Sequence, residues 1–215
     1  MKSNARLDID SRVYQTFDTI YIALLNSPKM AKELYKVLPT ETPVKGLVEI
    51  FTGDGKGKTS AALGTALRAV GHGLRVHIVF FMKGEFPYGE QKTLATLANI
   101  TFERFGSERF VDPANIKPEE KEEARKALDA ARKAMLSLTY DVVILDEVNV
   151  AASWKLIDVD EVVKLITAKP ENVELILTGR HADPRVIEKA DLVTMMMKVK
   201  HPYDRGVLAR KGIDY

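Results

Sequence analysis

A glycine-rich segment with two lysines lies between a short apolar run and a pattern typical of a helix. It reads TGDGKGKTS over residues 52–60. Closely spaced glycines allow the backbone N–H groups to surround an anion, and a helix that begins at the end of the loop adds its positive N-terminal end. Lys58 supplies a mobile charge and Thr59 a hydroxyl that can bind magnesium. The segment predicts a nucleotide-binding loop, although Thr52 stands where the strict pattern GxxxxGK(S/T) has its first glycine.

Two carboxylates follow another apolar run. The segment DVVILDE at 141–147 ends in Asp146 and Glu147. Any buried strand can carry an acid at its solvent edge, so this pattern is weak by itself. Together with a phosphate-binding loop, the pattern predicts a nucleotide site, because one acid can hold a magnesium ion while its neighbour positions or polarises a reactant. We therefore interpret Asp146 and Glu147 as part of the nucleotide site.

Short β-branched and apolar runs alternate with longer helical patterns from about residue 45 onward. This alternation is typical of βαβ units, and the near-continuous apolar runs indicate strands covered on both faces. The predicted fold class is α/β, with a mostly parallel central sheet flanked by helices. Strands are predicted at 47–51, 76–82, 100–105, 142–145, 173–177 and 192–199, and helices at about 58–71, 90–98, 118–138, 158–168 and 184–190. The methionines at 195–197 are interpreted as filling of a buried strand.

The first 44 residues differ from the rest and predict an N-terminal helical arm. Apolar residues from Val13 to Leu24 recur at helical spacing, and a second helical stretch covers 28–38. The segment PTETP at 39–43 is interpreted as a linker, because its two prolines forbid a continuous helix. We therefore divide the chain into an arm with its linker at 1–44 and a main domain at 45–215.

The composition excludes several classes of protein. Hydrophobic residues at 46% and charged residues at 29% fit a globular chain and exclude a disordered one. With 32 Lys and Arg against 30 Asp and Glu, the net charge of +2 gives no indication of nucleic-acid binding, so any anion site must be local. Cysteine is absent, and no apolar run approaches the roughly 20 residues that span a bilayer. We expect a cytoplasmic protein with neither a nucleic-acid nor a membrane partner.

Further motifs extend along most of the main domain. They are TGDGKGKTSAA at 52–62 followed by Gly64, Arg68 and GHG at 71–73, then FMKG at 81–84, LDE at 145–147, LTGR at 177–180, ADLVT at 190–194, VKHPYDRG at 199–206 and KGIDY at 211–215. Together they closely resemble the P-loop corrinoid adenosyltransferases, the ATP:cob(I)alamin or cob(I)yrinic acid a,c-diamide adenosyltransferase family. The likeness covers about 46–215, and it implies a RecA-like P-loop fold and a role in cobalamin synthesis or salvage.

The resemblance also implies a reaction and its site residues. A Co(I) corrinoid would attack the ribose C5′ of ATP, so that the 5′-deoxyadenosyl group is transferred and inorganic triphosphate leaves. By motif position, the triphosphate is bound by Gly53, Asp54, Gly55, Lys56, Gly57, Lys58, Thr59 and Ser60, with the two lysines neutralising its charge. The divalent ion, Mg²⁺ or Mn²⁺, is assigned to Thr59, Glu147 and Asp146. Candidate phosphate or ribose contacts are Arg68, Lys83 and Arg180.

The corrinoid side of the site is likewise implied by the resemblance. The family uses aromatic residues after the third strand to press on the lower cobalt face, and Phe110 matches one of them. Lys58, Glu147 and Phe110 are thus the residues expected to act in catalysis. Some relatives carry Trp where this chain has Asp112, and often Asn where it has Asp54. Related enzymes also imply a homodimer and a flavoprotein reductase that supplies the electron.

Two other functions stay open from the residues themselves. A P-loop ATPase or kinase would use Lys58 to stabilise phosphoryl transfer and Glu147 to position water or an acceptor. Its product, ADP, distinguishes it from an adenosyltransferase, which releases triphosphate. A nucleotide-binding switch or DNA-linked module is less favoured, because DNA binding needs concentrated Lys and Arg.

Overall fold

Six parallel strands form the central sheet. The computed structural model describes residues 45–107 and 109–215, so the arm predicted for 1–44 lies outside the described residues and the division at residue 45 stays a prediction. The strands are β1 (Val48–Thr52), β2 (Val76–Phe80), β3 (Ile100–Arg104), β4 (Val142–Asp146), β5 (Glu174–Thr178) and β6 (Leu192–Met195). Their order is β3-β2-β4-β5-β1-β6, and every neighbouring pair is parallel. The predicted α/β class with a parallel sheet is confirmed.

Helices cover both faces of this sheet. They are α1 (Lys58–Gly71), α2 (Gly89–Leu94), α3 (Pro118–Leu136), α4 (Val148–Ser153), α5 (Val159–Thr167) and α6 (Pro184–Glu188), and a 3₁₀ turn covers Pro202–Arg205. Five helices match predicted ones within a few residues, whereas α4 was not predicted. No helix in the described part of the chain is long and apolar enough to cross a membrane.

Successive side chains of a strand point to opposite faces of the sheet, and each face carries its own hydrophobic core. On β4, Val143 and Leu145 join the core formed with α3, α4 and α5, while Val142 and Ile144 join the core formed with α1. Strands β2 and β4 are buried along their whole length. Burial of each large apolar side chain stabilises the fold by roughly 1.5–3 kcal/mol. The two cores therefore fix the sheet, and with it the carboxyl ends of the strands.

Local sequence explains where the helices begin. The carboxylate of Glu120 accepts a hydrogen bond from the backbone N–H of Lys117 at 2.8 Å at the start of α3. The carboxylates of Asp158 and Asp183 cap α5 and α6 by accepting from the N–H two residues further on, each at 2.9 Å. Helix α1 differs, because no side chain caps its N-terminus. Its first N–H groups are therefore available to a ligand.

The last strand is shorter than predicted. It ends at Met195 rather than at residue 199, because the backbone then turns onto the loop that follows β1. The N–H of Met196 donates to the carbonyl of Thr52 at 2.8 Å, and the N–H of Gly55 donates to the carbonyl of Met196 at 2.8 Å. As an edge strand, β6 is exposed along its length, and 60% of Met195 and 77% of Met197 are exposed. The interpretation of the methionines as buried filling is wrong for these two residues.

The loops after β2 and β3 contact each other through glycines. Strand β2 ends at Phe80 rather than at residue 82, since Met82 adopts a left-handed φ of 55°. A Cβ added to Gly84 would lie 2.5 Å from the carbonyl oxygen of Ser107 and closer still to that of Gly106. Only glycine therefore allows this approach of the two backbones, which brings the segment after β3 to the edge where the glycine-rich loop lies.

We expect Gly84→Ala to destabilise the protein by about 1–3 kcal/mol, because the added methyl group would meet backbone that cannot move aside. Urea unfolding measures this change. Gly64→Ala is the matched control, since a Cβ at this position of α1 meets nothing within 4 Å. It should stabilise the helix by about 0.4–1 kcal/mol. Equal stabilities for the two variants would contradict the loop contact.

Candidate functional site

The glycine-rich loop between β1 and α1 packs closely against the segment that follows β6. Gly53 and Gly57 have φ values of 97° and 117°, which non-glycine residues rarely adopt. A Cβ on Gly55 would lie 2.8 Å from the carbonyl oxygens of Met196 and Met197. The loop therefore packs directly against the backbone after β6, and it leads into the uncapped N-terminus of α1.

Lys58 begins α1, and its side chain turns back over this loop. Its Nζ donates to the carbonyls of Gly53 and Gly55 at 2.9 and 2.7 Å, and only 8% of the residue is exposed. Burial lowers the pKa of the Lys58 ammonium, although the negative charge of Glu147 opposes the change. A positive charge thus lies within the loop, where an anion held by the N–H groups would meet it.

A buried ion pair lies at the ends of two neighbouring strands. Asp146, the last residue of β4, is 1% exposed, and its Oδ2 lies 2.6 Å from Nζ of Lys83, which follows β2. The hydroxyl of Thr178, the last residue of β5, donates to Asp146 Oδ1 at 2.7 Å. Burial opposes the charge on Lys83, but Asp146 outweighs it and raises the pKa of the ammonium. Both oxygens of Asp146 are therefore engaged within the protein.

The side chain of Glu147 lies in the cleft with the glycine-rich loop, unlike that of Asp146. Its backbone is left-handed, with φ of 66°, and its N–H donates to the hydroxyl of Thr178 at 3.0 Å. Burial and the adjacent charge of Asp146 raise the pKa of the Glu147 carboxyl. Its side chain lines the same cleft as Lys58 and Thr59. Of the two predicted acids, Glu147 faces the loop, whereas Asp146 is held by Lys83.

The oxygen donors at this edge fit a divalent ion only in part. The hydroxyl of Thr59 and the carboxylate of Glu147 are hard ligands, of the kind that Mg²⁺ and Mn²⁺ prefer. Among residues 45–107 and 109–215, no group of three or more His, Cys, Asp or Glu could hold a metal by itself. The donor set therefore fits an ion that also takes ligands from water and from the phosphates of a nucleotide.

A cleft of about 620 Å³ lies over the loop. One wall is formed by residues 55–60 together with Glu147 and Arg180, and the other by residues within 197–214. Arg180 is the last residue along the chain that was predicted at the site, so the second wall was not predicted. The motifs VKHPYDRG and KGIDY were the available signal, because both contribute to the second wall.

Four aromatic side chains form a cluster beside this cleft. We call Phe86, Tyr88, Phe110 and Tyr215 the aromatic cluster. The ring of Phe86 lies 4.8 Å from that of Tyr88, 5.8 Å from that of Phe110 and 5.3 Å from that of Tyr215. The Nζ of Lys83 lies 4.7 Å from the ring of Tyr88, so the cluster adjoins the buried ion pair. Phe110 is 77% exposed and presents an open apolar surface.

The structure separates some predicted site residues from the loop. Arg68 lies exposed in the last turn of α1, ten residues and about 15 Å from Lys58 at the helical rise. Lys83 lies in the buried ion pair rather than in the lining of the cleft. Lys56 forms an ion pair with Asp214. Asp54 and Ser60 are exposed, and of these two only Ser60 lines the cleft.

Comparison with known proteins shows the family. The family model described as ATP:corrinoid adenosyltransferase BtuR/CobO/CobP matches residues 44–215. The corrinoid adenosyltransferase of Escherichia coli (strain K12) is 36% identical over 171 residues, which cover 80% of this chain and 86% of that protein. The corrinoid adenosyltransferase CobA of Salmonella typhimurium is 37% identical with the same coverage, and a Sinorhizobium corrinoid adenosyltransferase is 34% identical over 189 residues, 87% of each chain. This chain belongs to the ATP:corrinoid adenosyltransferase family.

Membership confirms the resemblance that the motifs predicted. It identifies the chain as an enzyme of the ATP-dependent corrinoid adenosyltransferase class, and it does not favour the P-loop ATPase or kinase. ATP and a corrinoid are accordingly the substrates of the family. The matched region includes the glycine-rich loop, the carboxylates at the end of β4 and the aromatic cluster.

We expect Lys83→Met to cost about 3–5 kcal/mol of stability, because the charge of Asp146 would stay buried without its partner. Urea unfolding measures the loss. Combining Lys83→Met with Asp146→Asn removes the unpaired charge of residue 146. The double variant should therefore regain most of the stability that Lys83→Met alone loses. A double variant less stable than Lys83→Met alone would show that the pair does not act as a unit.

Proposed function

We propose that this enzyme transfers the 5′-deoxyadenosyl group of ATP to the Co(I) centre of a corrinoid. An electron pair of Co(I) forms the new bond to the ribose C5′, the C5′–O bond breaks, and triphosphate leaves with the electron pair of that broken bond. The observation that carries the proposal is that Glu147 and Lys83, at the ends of the neighbouring strands β4 and β2, face two different surfaces. Glu147 lines the cleft over the phosphate loop, residues 52–60, and Lys83 contacts the ring of Tyr88 in the aromatic cluster.

The phosphate loop is proposed to hold the triphosphate. As the C5′–O bond breaks, negative charge grows on the leaving group, and fixed cations and N–H dipoles stabilise it most at that point. Lys58 and the N-terminus of α1 supply these charges in the loop. Arg180 lines the same cleft and is proposed as a further phosphate or ribose contact. No comparable support exists for Arg68, which lies at the far end of α1.

Thr59 and Glu147 are the proposed ligands of the divalent ion. A bound Mg²⁺ or Mn²⁺ would neutralise phosphate charge and help to orient the triphosphate. Both side chains line the cleft beside Lys58, which supports this role. Asp146 is proposed to fix the position of the neighbouring Glu147 rather than to bind the ion, since Lys83 and Thr178 already contact its two oxygens.

The aromatic cluster is the proposed contact surface for the corrinoid. A corrinoid is a broad, largely apolar ring, and exposed aromatic side chains pack well against such surfaces. The exposure of Phe110 and its contact with Phe86 support this assignment. Binding there would hold the cobalt in line with C5′ and exclude water, and orientation of this kind can supply about 7 kcal/mol or more.

The proposal extends to partners and location. We propose a homodimer, a flavoprotein reductase as the electron donor and a cytoplasmic enzyme. The motif resemblance over 46–215 supports the first two, and the absence of cysteine supports the third.

An anaerobic assay with chemically reduced cob(I)alamin, ATP and Mg²⁺ tests the reaction. We expect the absorbance of Co(I) to be replaced by that of an alkyl-cobalt species, with one inorganic triphosphate released for each cobalt alkylated. Release of ADP without alkylation over a range of corrinoids would contradict the proposal and would indicate an ATPase or kinase instead.

Lys58→Ala and Glu147→Gln are each expected to lower kcat/KM for adenosylation by about 100-fold or more, because each removes a charge aimed at the triphosphate or its ion. Lys133→Ala, an exposed change in the last turn of α3, is the control and should leave the rate unchanged. Wild-type rates in both site variants would overturn the assignment of the site.

A further inference from the structure

Residues 210–215 connect the phosphate loop to the aromatic cluster. The carboxylate of Asp214 forms an ion pair with Lys56 of the loop. The Nζ of Lys56 also donates to the carbonyl of Ile213 at 2.8 Å. In the next residue along the chain, the ring of Tyr215 lies 5.3 Å from that of Phe86. One short segment therefore touches both halves of the proposed site.

A second set of contacts gives this segment a defined shape. The carboxylate of Asp214 accepts from the backbone N–H of Arg210 at 2.8 Å and from its Nε at 3.0 Å. The N–H of Asp214 donates to the carbonyl of Arg210 at 2.8 Å, and the N–H of Gly212 donates to the carbonyl of Tyr215 at 2.8 Å. The turn and its attachment to the loop thus share one side chain, that of Asp214.

Charge balance favours a structural use of this carboxylate over direct contact with the nucleotide. An unpaired acid beside a triphosphate would repel it. Hydrogen bonds from Lys56 and Arg210 instead lower the pKa of the Asp214 carboxyl well below its usual range, so that it is charged at neutral pH and matched by two cations. The ammonium of Lys56 is correspondingly paired with a carboxylate of the protein. The sequence instead predicted that Lys56 neutralises the triphosphate.

We propose that Asp214 is a positioning residue for the corrinoid, because it holds Tyr215 in the aromatic cluster through the turn at 210–215 and its attachment to Lys56. This inference rests on the proposed adenosyl transfer, which assigns the corrinoid to the aromatic cluster. Tyr215 supplies ring surface to that substrate, and Asp214 acts through Tyr215. A side chain paired with the phosphate loop thereby controls the binding of the second substrate.

Steady-state kinetics with cob(I)alamin and ATP test this coupling under anaerobic conditions. Tyr215→Leu is expected to raise the KM for cob(I)alamin about tenfold and to leave the KM for ATP within about twofold of the wild-type value. Asp214→Asn keeps the size of the side chain but removes its charge, and it should raise the KM for cob(I)alamin by a similar factor. The double variant should match Tyr215→Leu alone, because both changes remove the same interaction.

Two controls separate this coupling from general damage. Tyr215→Phe keeps the ring, so its KM for cob(I)alamin should be well below that of Tyr215→Leu. Asp129→Asn removes an acid from exposed ion pairs with Arg125 and Arg132 on α3, and it should change neither KM.

The possible outcomes are distinct. An unchanged KM for cob(I)alamin in Asp214→Asn would overturn the positioning role, and so would effects of the two changes that multiply in the double variant. Failure of the wild-type protein to form adenosyl-cobalt would contradict the proposed function itself, and this inference with it.

Discussion

The edge of the sheet that carries the site depends on the neutralisation of one buried carboxylate. Asp146 ends a strand in the middle of the sheet and is 1% exposed, where an unpaired charge would cost several kcal/mol. Lys83 supplies the opposite charge from the end of β2, and Thr178 supplies a hydroxyl from the end of β5. The three strands are thereby joined at their carboxyl ends by side chains as well as by backbone. Glu147, the next residue, takes its position from this network, because its N–H also donates to Thr178.

Local features of the fold could be predicted because they are encoded in local patterns. Apolar runs and helical periodicity located all six strands and five of the helices, and the glycine spacing located the loop between β1 and α1. Helix α4 was missed because five of its six residues are buried, so its sequence has no polar face from which a helical periodicity could be recognised. The methionines were misjudged for a different reason. Whether a strand is central or at an edge depends on the order of strands in the sheet, and the residues of β6 themselves do not reveal it.

The residue types at the candidate site could be predicted from the sequence, but the ion pairs that those residues form could not. Lys56 and Lys83 have the residue type and the position expected of triphosphate contacts, yet each is paired with a carboxylate. The partner of Lys56 lies 158 residues away along the chain, a separation over which sequence spacing gives no indication of contact. Lys83 and Asp146 were both predicted site residues. Their pairing requires that β2 lie beside β4, which follows from the sheet order rather than from either motif.

These pairings change how charge is balanced in the proposed reaction. Apart from Arg68 in the last turn of α1, four cations were predicted at the nucleotide. Lys56 and Lys58 were expected to neutralise the triphosphate, and Lys83 and Arg180 to contact a phosphate or the ribose. Two of them are neutralised by Asp214 and Asp146, whereas Lys58 and Arg180 pair with no carboxylate of residues 45–107 and 109–215. Two side-chain charges and the N-terminus of α1 do not balance a triphosphate that gains further charge as the C5′–O bond breaks. In the proposed reaction, the remaining positive charge is therefore assigned to the divalent ion at Thr59 and Glu147 together with Lys200, which also lines the cleft.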